Sequence, residues 1–293
     1  MARPQLGILA PVPASGRFLA FGLAPGADVR QPMRRLRAAR LDARTVVGLG
    51  QPLLDALGRT VPQLRPFPAV VGPGCAFPST QGALWAFVGG ADPGESLHRS
   101  RALRDLLGRD FRLDEDVLSF GYDRNRDLSG YEDGTENPKG KAARAVAILA
   151  GQGPGLDGSS FVAVQRWVHD LERLDAMTPR ERDHAVGRRR DTNEEIASAP
   201  ESAHVKRTAQ ESFTPPAFMV RRSMPWGSLG EHGLYFVAYA ASLDPFEQAL
   251  LRMAGQEDGI VDGLLRFTRA VSGGYYWCPP LRDGRLDLRA AAP

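Results

Sequence analysis

Short apolar runs at residues 17–23, 45–49, 83–88 and 117–122, bounded by Gly, Pro or charged side chains, predict four strands in the first half of the chain. Helical spacing at residues 27–40, with Pro32 in the first turn, and at residues 95–107 predicts two helices between them. The order strand, helix, strand, strand, helix, strand is that of a ferredoxin-like unit. The second half repeats it. Residues 160–168 are rich in β-branched and aromatic side chains and read as a strand, as do 218–222, 234–240 and 270–277. Thr178-Pro179-Arg180-Glu181 carries helix-opening chemistry: Thr as N-cap, Pro in the first turn, Glu three residues on. Asp244-Pro245-Phe246-Glu247 opens another helix, which sets Phe246, Ala249, Leu250 and Met253 on one face. The expected class is α+β, with two ferredoxin-like domains at 1–128 and 159–293. Each is an antiparallel sheet covered by helices, and the Gly- and Pro-rich segment 129–158 connects them.

Composition narrows the function classes. The chain has 293 residues, 43% apolar and 24% charged, enough for one large or two modest cores. Its 37 basic and 34 acidic residues leave +3, and neither Arg34-Arg35 nor Arg188-Arg189-Arg190 is interleaved with aromatics. These runs read as solvated faces, so no nucleic-acid partner is expected. The two cysteines, Cys75 and Cys278, form no Cys-x-x-Cys pair, which argues against a thiolate metal site and suits a reducing compartment. The apolar stretch 6–10 is broken by Pro11 and Pro13, too short for a signal peptide or a membrane span. A soluble, cytoplasmic protein without membrane contact is expected.

The candidate chemistry lies in a few places. Gly130-Tyr131-Glu132-Asp133-Gly134-Thr135-Glu136-Asn137-Pro138 sets Asp133 at the tip of a Gly-bounded turn that regular structure cannot enter. Taken alone, an Asp-Gly pair is a common turn former. None of the five histidines has helical zinc spacing. His98 and His184 read as exposed, and His169, beside Asp170 at a strand end, reads as a structural imidazole. His204 differs, following a polar, Pro-containing loop and preceding Val205-Lys206-Arg207. Arg221 and Arg222 interrupt an apolar strand, so one of them faces inward and needs a structural carboxylate or an anionic ligand. No phosphate-binding Gly loop and no nucleophile elbow is present.

Taken together these segments resemble the dye-decolourising peroxidases, a haem family, and in length its short bacterial subgroup. The matches are Gly130 to Pro138, the stretch from Ser160 to Asp170, Ala203-His204 through Arg207, Val220 to Gly227, and Phe267 to Trp277. The resemblance implies a pair of ferredoxin-like domains holding one haem b (iron protoporphyrin IX) per chain. His204 would be the axial ligand, with Asp133 and Arg221 on the distal side. Arg207 would pair with a haem propionate, Ser223 would stand where some relatives have Asn, and Phe236 would line the pocket. Asp258 and Asp262 are alternative acceptors for the second nitrogen of His204. The implied activity reduces hydrogen peroxide and oxidises an aromatic or dye-like donor through a ferryl intermediate, in a homo-oligomer. Because a carboxylate takes a proton only while ionised, and its ordinary pKa is about 4, mildly acidic conditions should favour it. Tyr122, Tyr131 and Trp167 are possible relay points for surface oxidation, though each is as readily core. Two other readings stay open: a haem-handling protein with incidental peroxidase activity, and a binding module in which Arg221 grips another anion.

Overall fold

In the computed structural model, which describes residues 2–291, the first half runs β1 (Ser15–Leu23), α1 (Arg30–Ala38), β2 (Thr45–Leu49), α2 (Gln51–Ala56), a small hairpin of β3 (Val70–Gly72) and β4 (Cys75–Phe77), β5 (Leu84–Gly90), α3 (Pro93–Leu107) and β6 (Phe111–Phe120). Every residue of β2 and β5 is buried, which explains their unbroken apolar runs. The strands lie in the order β2-β5-β1-β6, all antiparallel, as a ferredoxin-like unit requires. Strand β6 begins six residues before the apolar signal. Its stretch Arg112 to Asp116 is polar because much of it meets solvent: Arg17 on β1 reaches across to Asp116 at 2.6 Å.

After β6 comes α4 (Gly140–Ala147), a helix within the segment expected only to connect. The second half continues with β7 (Ser160–His169), α5 (Leu171–Ala176), α6 (Pro179–Val186), α7 (His204–Arg207), β8 (Val220–Arg221), β9 (Met224–Gly227), β10 (His232–Ala240), α8 (Asp244–Met253), β11 (Thr268–Ala270), β12 (Gly274–Cys278) and a last hairpin of β13 (Leu281–Arg282) and β14 (Arg285–Leu286). The Thr178 capping box forms as expected, with Glu181 bonding back to the cap. The run 270–277 is not one strand: between Ala270 opposite Trp167 and Gly274 opposite Val164 the register shifts by one residue. Gly273 sits in that break because a Cβ there would lie 2.6 Å from both the Phe67 ring and the Pro78 carbonyl.

The two halves close on each other. Strand β6 meets β9 at Ser119 opposite Trp226, and β12 meets β2 at Trp277 opposite Leu49. Eight strands thereby form a ring, β2-β5-β1-β6-β9-β10-β7-β12, and its closure removes the open edges each unit would present alone. The enclosed core is aromatic. Phe18 stacks on Tyr235 at 4.1 Å, and Trp85 donates to the Tyr235 hydroxyl at 3.2 Å. That hydroxyl donates in turn to Glu115 at 3.1 Å, and Glu115 pairs with Arg166 at 3.2 Å. Burial raises the Glu115 carboxyl above its usual range despite the opposing attraction of Arg166.

Period-two alternation sorts the second-half strands into two faces. Val162, Val164, Tyr235 and Val237 enter the ring core, whereas Gln165, Trp167 and His169 of β7 and Leu234 and Phe236 of β10 point outward. Helix α8 covers that outer face with Phe246, Ala249, Leu250 and Met253, the four residues its sequence spacing picks out. Sheet, α8 and α7 together leave a cavity of about 300 Å3.

Candidate functional site

His204 is the first residue of α7 and lines the cavity. Its Nδ1 donates to Asp262 Oδ2 at 2.7 Å, and the other oxygen of Asp262 accepts from the Leu264 backbone N–H at 2.8 Å. Asp262 is 1% exposed, and Gly263 beside it donates its N–H to the Ser202 carbonyl. A buried carboxylate can only accept, so it keeps the proton on Nδ1 and leaves Nε2 of a neutral imidazole as the lone pair available to a ligand. Of the two acceptors offered by the sequence, Asp262 takes the histidine. Asp258 takes Arg207 instead, in a two-pronged pair at 2.7 and 2.8 Å.

Asp133 and Arg221 line the same cavity, though 88 positions apart in the chain. The loop from Gly130 to Asn137 is joined to β8 by one side chain. Asn137 accepts from the Arg221 backbone N–H at 2.8 Å and donates to the Arg221 carbonyl at 2.7 Å. This two-way clamp was not read from the sequence, where Asn137 was only part of the motif string. Gly134 is needed for it: the residue has φ +74°, and a Cβ would lie 2.7 Å from Asn137 Nδ2. The Asp133 carboxylate makes no hydrogen bond or ion pair with another side chain among the described residues, and Arg221 Nε is buried without a partner. A second such donor, Gln165 Nε2, is buried in the cavity wall. Buried donors without partners are costly in a native protein, so a cavity holding two of them is shaped for a polar or anionic occupant.

The remaining walls are mixed. His169 bonds Thr268 Oγ1 at 2.7 Å and Asp127 at 3.0 Å, the satisfied structural imidazole expected, yet it also faces the cavity. Burial alone would raise the Asp127 carboxyl. The His169 charge and hydrogen bonds from His169 and Ser129 outweigh it and hold the group below the usual range. At the rim, Arg188 bridges Glu136 and Glu195, and Asn193 reaches Glu132 and Thr135, so the segment after α6 straps the Asp133 loop. Tyr131 donates to Asp183 at 2.7 Å, and burial with that carboxylate raises its phenol.

The other residues singled out by the sequence are spread around the cavity. Arg207 is buried and absent from the cavity lining: its two terminal nitrogens bond Asp258 and the Arg252 carbonyl, while its Nε is buried without a partner. Ser223 lies opposite Phe236 by register, but it does not line the cavity, and its Oγ is buried without a partner. Phe236 does line it and packs on Phe246 at 5.7 Å. Trp167 also faces the cavity, whereas Tyr122 is 43% exposed outside it. His98 is exposed, but His184 is half-buried on α6, which packs against the turn after Asp262. No described helix is long and apolar enough to cross a membrane.

Known proteins share this architecture. Residues 124–283 match the family model described as Dyp-type peroxidase, C-terminal. The dye-decolorizing peroxidase of Mycolicibacterium paratuberculosis is 31% identical over 271 residues, 88% of this chain and 73% of that protein. That of Rhodococcus erythropolis is 30% identical over 302 residues, 95% and 88% of the two chains. A DypB variant from Rhodococcus jostii, solved in complex with heme, superposes with a TM-score of 0.83 at 28% identity over 93% of this chain and 94% of its own. The cavity here fits such a group. Among the described residues no cluster of three or more His, Cys, Asp and Glu could hold a bare ion, so one imidazole suits a metal carried in its own macrocycle. Apolar walls from Leu234, Phe236, Phe246 and Leu250 suit a porphyrin face, and the unpartnered donors suit its polar edge or its substrate. With family model, full-length relatives and cavity in agreement, the chain belongs to the dye-decolorizing peroxidases, haem enzymes that use hydrogen peroxide to oxidise dyes and other aromatic donors.

Proposed function

We propose that one haem b per chain binds with its iron on His204 Nε2, and that Asp133 and Arg221 act on the peroxide. The single observation that supports this most directly is the buried Asp262–His204 bond facing a cavity that also holds an unpaired carboxylate and an unpartnered guanidinium nitrogen. Bound haem would supply the two electrons that peroxide cleavage consumes, and the donors would return them one at a time. Asp262 fixes the ring of His204 and its tautomer and makes the ligand nitrogen more electron-rich. The ionised Asp133 carboxylate takes a proton from one peroxide oxygen and returns it to the other as the O–O bond breaks and water leaves. Arg221 stabilises the negative charge that develops on oxygen, at no cost of reorienting solvent at that moment. The Asn137 clamp holds these two groups in one register, so neither loop motion nor strand motion separates them.

Separate Asp133→Ala and Arg221→Leu variants test the assignment by stopped-flow measurement of the reaction with peroxide. Each should slow it by a factor of about a hundred or more, the usual contribution of a positioned acid–base or electrostatic group. Undiminished peroxide reactivity in both would remove these two residues from the mechanism. The variant His204→Ala should lose tight haem retention, read from the Soret band after gel filtration.

A further inference from the structure

Two imidazoles face the cavity, and each is bonded to a buried carboxylate. The pairs differ in what they leave free. His204 keeps Nε2 bare, whereas both nitrogens of His169 are engaged: Nδ1 with Thr268 Oγ1 at 2.7 Å and Nε2 with Asp127 Oδ1 at 3.0 Å. His169 therefore has no lone pair to offer a metal in the cavity. The buried, ionised Asp127 carboxylate can only accept, so Nε2 carries a proton and donates it, while Thr268 of β11 fixes the ring from the other side. The carboxylate that His169 holds is the hub of the turn leading to Asp133. Its Oδ2 accepts from the Ser129 backbone N–H at 3.0 Å and from the Ser129 hydroxyl. The Asp127 N–H donates to the Tyr131 carbonyl at 2.9 Å, and the Asp127 carbonyl accepts from the Gly130 N–H at 2.8 Å. A small hairpin closes on this turn: Arg126 lies opposite Glu132, and Asp133 donates its N–H to the Asn125 carbonyl at 3.4 Å. Asp133 thus rides on the second arm of the hairpin, six positions after Asp127. Its carboxylate has no side-chain partner among the described residues, so the backbone alone sets its place. Two hydrogen-bonded ties join this segment to the sheet, His169 of β7 at its start and the Asn137 clamp on β8 at its end.

We propose that His169 is a positioning residue for the peroxide step: through Asp127 it fixes the end of the loop opposite the Asn137 clamp, and so sets where the Asp133 carboxylate stands in the cavity. The inference rests on the reading above in which Asp133 moves the peroxide proton. A misplacement of about 1 Å can cost about a hundredfold in rate, which is why a tie remote from the reacting atoms matters. The two His–carboxylate pairs thereby divide the work. One presents a nitrogen to the cavity, and the other presents a loop.

The test compares two amide variants in the holoenzyme. In His169→Gln the amide nitrogen falls where Nε2 was and keeps the bond to Asp127; in His169→Asn it falls where Nδ1 was and reaches only Thr268. Stopped-flow reaction with peroxide should stay within about threefold of wild type in the Gln variant and slow about tenfold or more in the Asn variant. Backbone amide exchange over residues 125–137, measured without turnover, should quicken about tenfold or more in the Asn variant alone. Because that variant strands a buried carboxylate, the double variant His169→Asn, Asp127→Ala is measured beside it and should be as slow. In an Asp133→Ala background, His169→Asn should slow the peroxide reaction by less than about twofold further, since the group it positions is gone. Equal peroxide rates in the Gln and Asn variants, or the same slowing by His169→Asn with and without Asp133, would overturn the proposal. Wild-type peroxide rates in Asp133→Ala alone would instead strike the reading of Asp133 on which it rests.

Discussion

Replacing Asp262 by Asn tests the polarity of the His204 bond with almost no change of shape. The native carboxylate accepts twice, from His204 Nδ1 at 2.7 Å and from the Leu264 N–H at 2.8 Å. Asn has one carbonyl oxygen and one amide nitrogen, so in the same rotamer it can accept from only one of these donors. If its oxygen keeps Leu264, its NH2 faces Nδ1 and forces the proton onto Nε2, the nitrogen proposed to hold iron. If its oxygen keeps His204, the NH2 abuts the Leu264 N–H, and two donors face each other in a site 1% exposed. Either outcome costs about 1–3 kcal/mol, the penalty of a buried polar group without its partner. Loss of a carboxylate behind a metal-bound histidine typically costs about 10- to 100-fold in affinity, or about 1.4 to 2.7 kcal/mol. Haem transfer from the variant to excess apomyoglobin should therefore run about 10- to 100-fold faster than from the wild type. The iron–imidazole stretch of the ferrous protein should fall to lower frequency. Wild-type transfer rates together with an unshifted stretch would refute the claim that Asp262 sets the tautomer.

Further outcomes follow from the same geometry. Asn137→Ala removes both bonds to the Arg221 backbone and should lower stability by about 1–3 kcal/mol in urea titration, slowing peroxide reaction with little effect on haem retention. Gly134→Ala should behave similarly, since it strains a left-handed residue and pushes its new Cβ against the Asn137 amide. Asp127, held below its usual range when folded, contributes stability that is present above its unfolded pKa near 4. That stability is lost as pH falls through the lowered folded value, so Asp127→Asn should flatten the fall of the urea midpoint below about pH 4. Glu115, raised when folded, has the opposite sign: its contribution is complete below about pH 4 and is lost as pH rises through the folded value. Glu115→Gln should therefore show less loss of stability between acid and neutral pH than the wild type, measured by the same titration.

How much of this was legible in the sequence depended on whether a signal was local. The capping box at Thr178, the α8 face and the run of β2 rest on neighbours within one turn or one strand, and they formed where the pattern put them. Strand β6 begins before its apolar run because its first half is polar and carries no strand pattern; only its neighbour β1 makes Asp116 a strand residue. The run 270–277 broke at Gly273 for want of room beside Phe67 and Pro78, residues 206 and 195 positions away. Arg207 shows the same limit at the site. Proximity to His204 suggested a shared ligand, but which anion a long side chain meets depends on what the fold brings near, here Asp258.

The sequence by itself determined the alternation of elements and the α+β plan, because short-range periodicity carries that information, and its motifs singled out His204, Asp133 and Arg221 as candidates through their resemblance to a family. Only the tertiary structure decided that the two sheets close into one ring, that Asp262 and not Asp258 holds His204, and that Asn137 ties the Asp133 loop to Arg221. Those are contacts between segments far apart in the chain. No local pattern encodes them, since they exist only once burial has removed water and left each polar group to find a partner within about 3 Å.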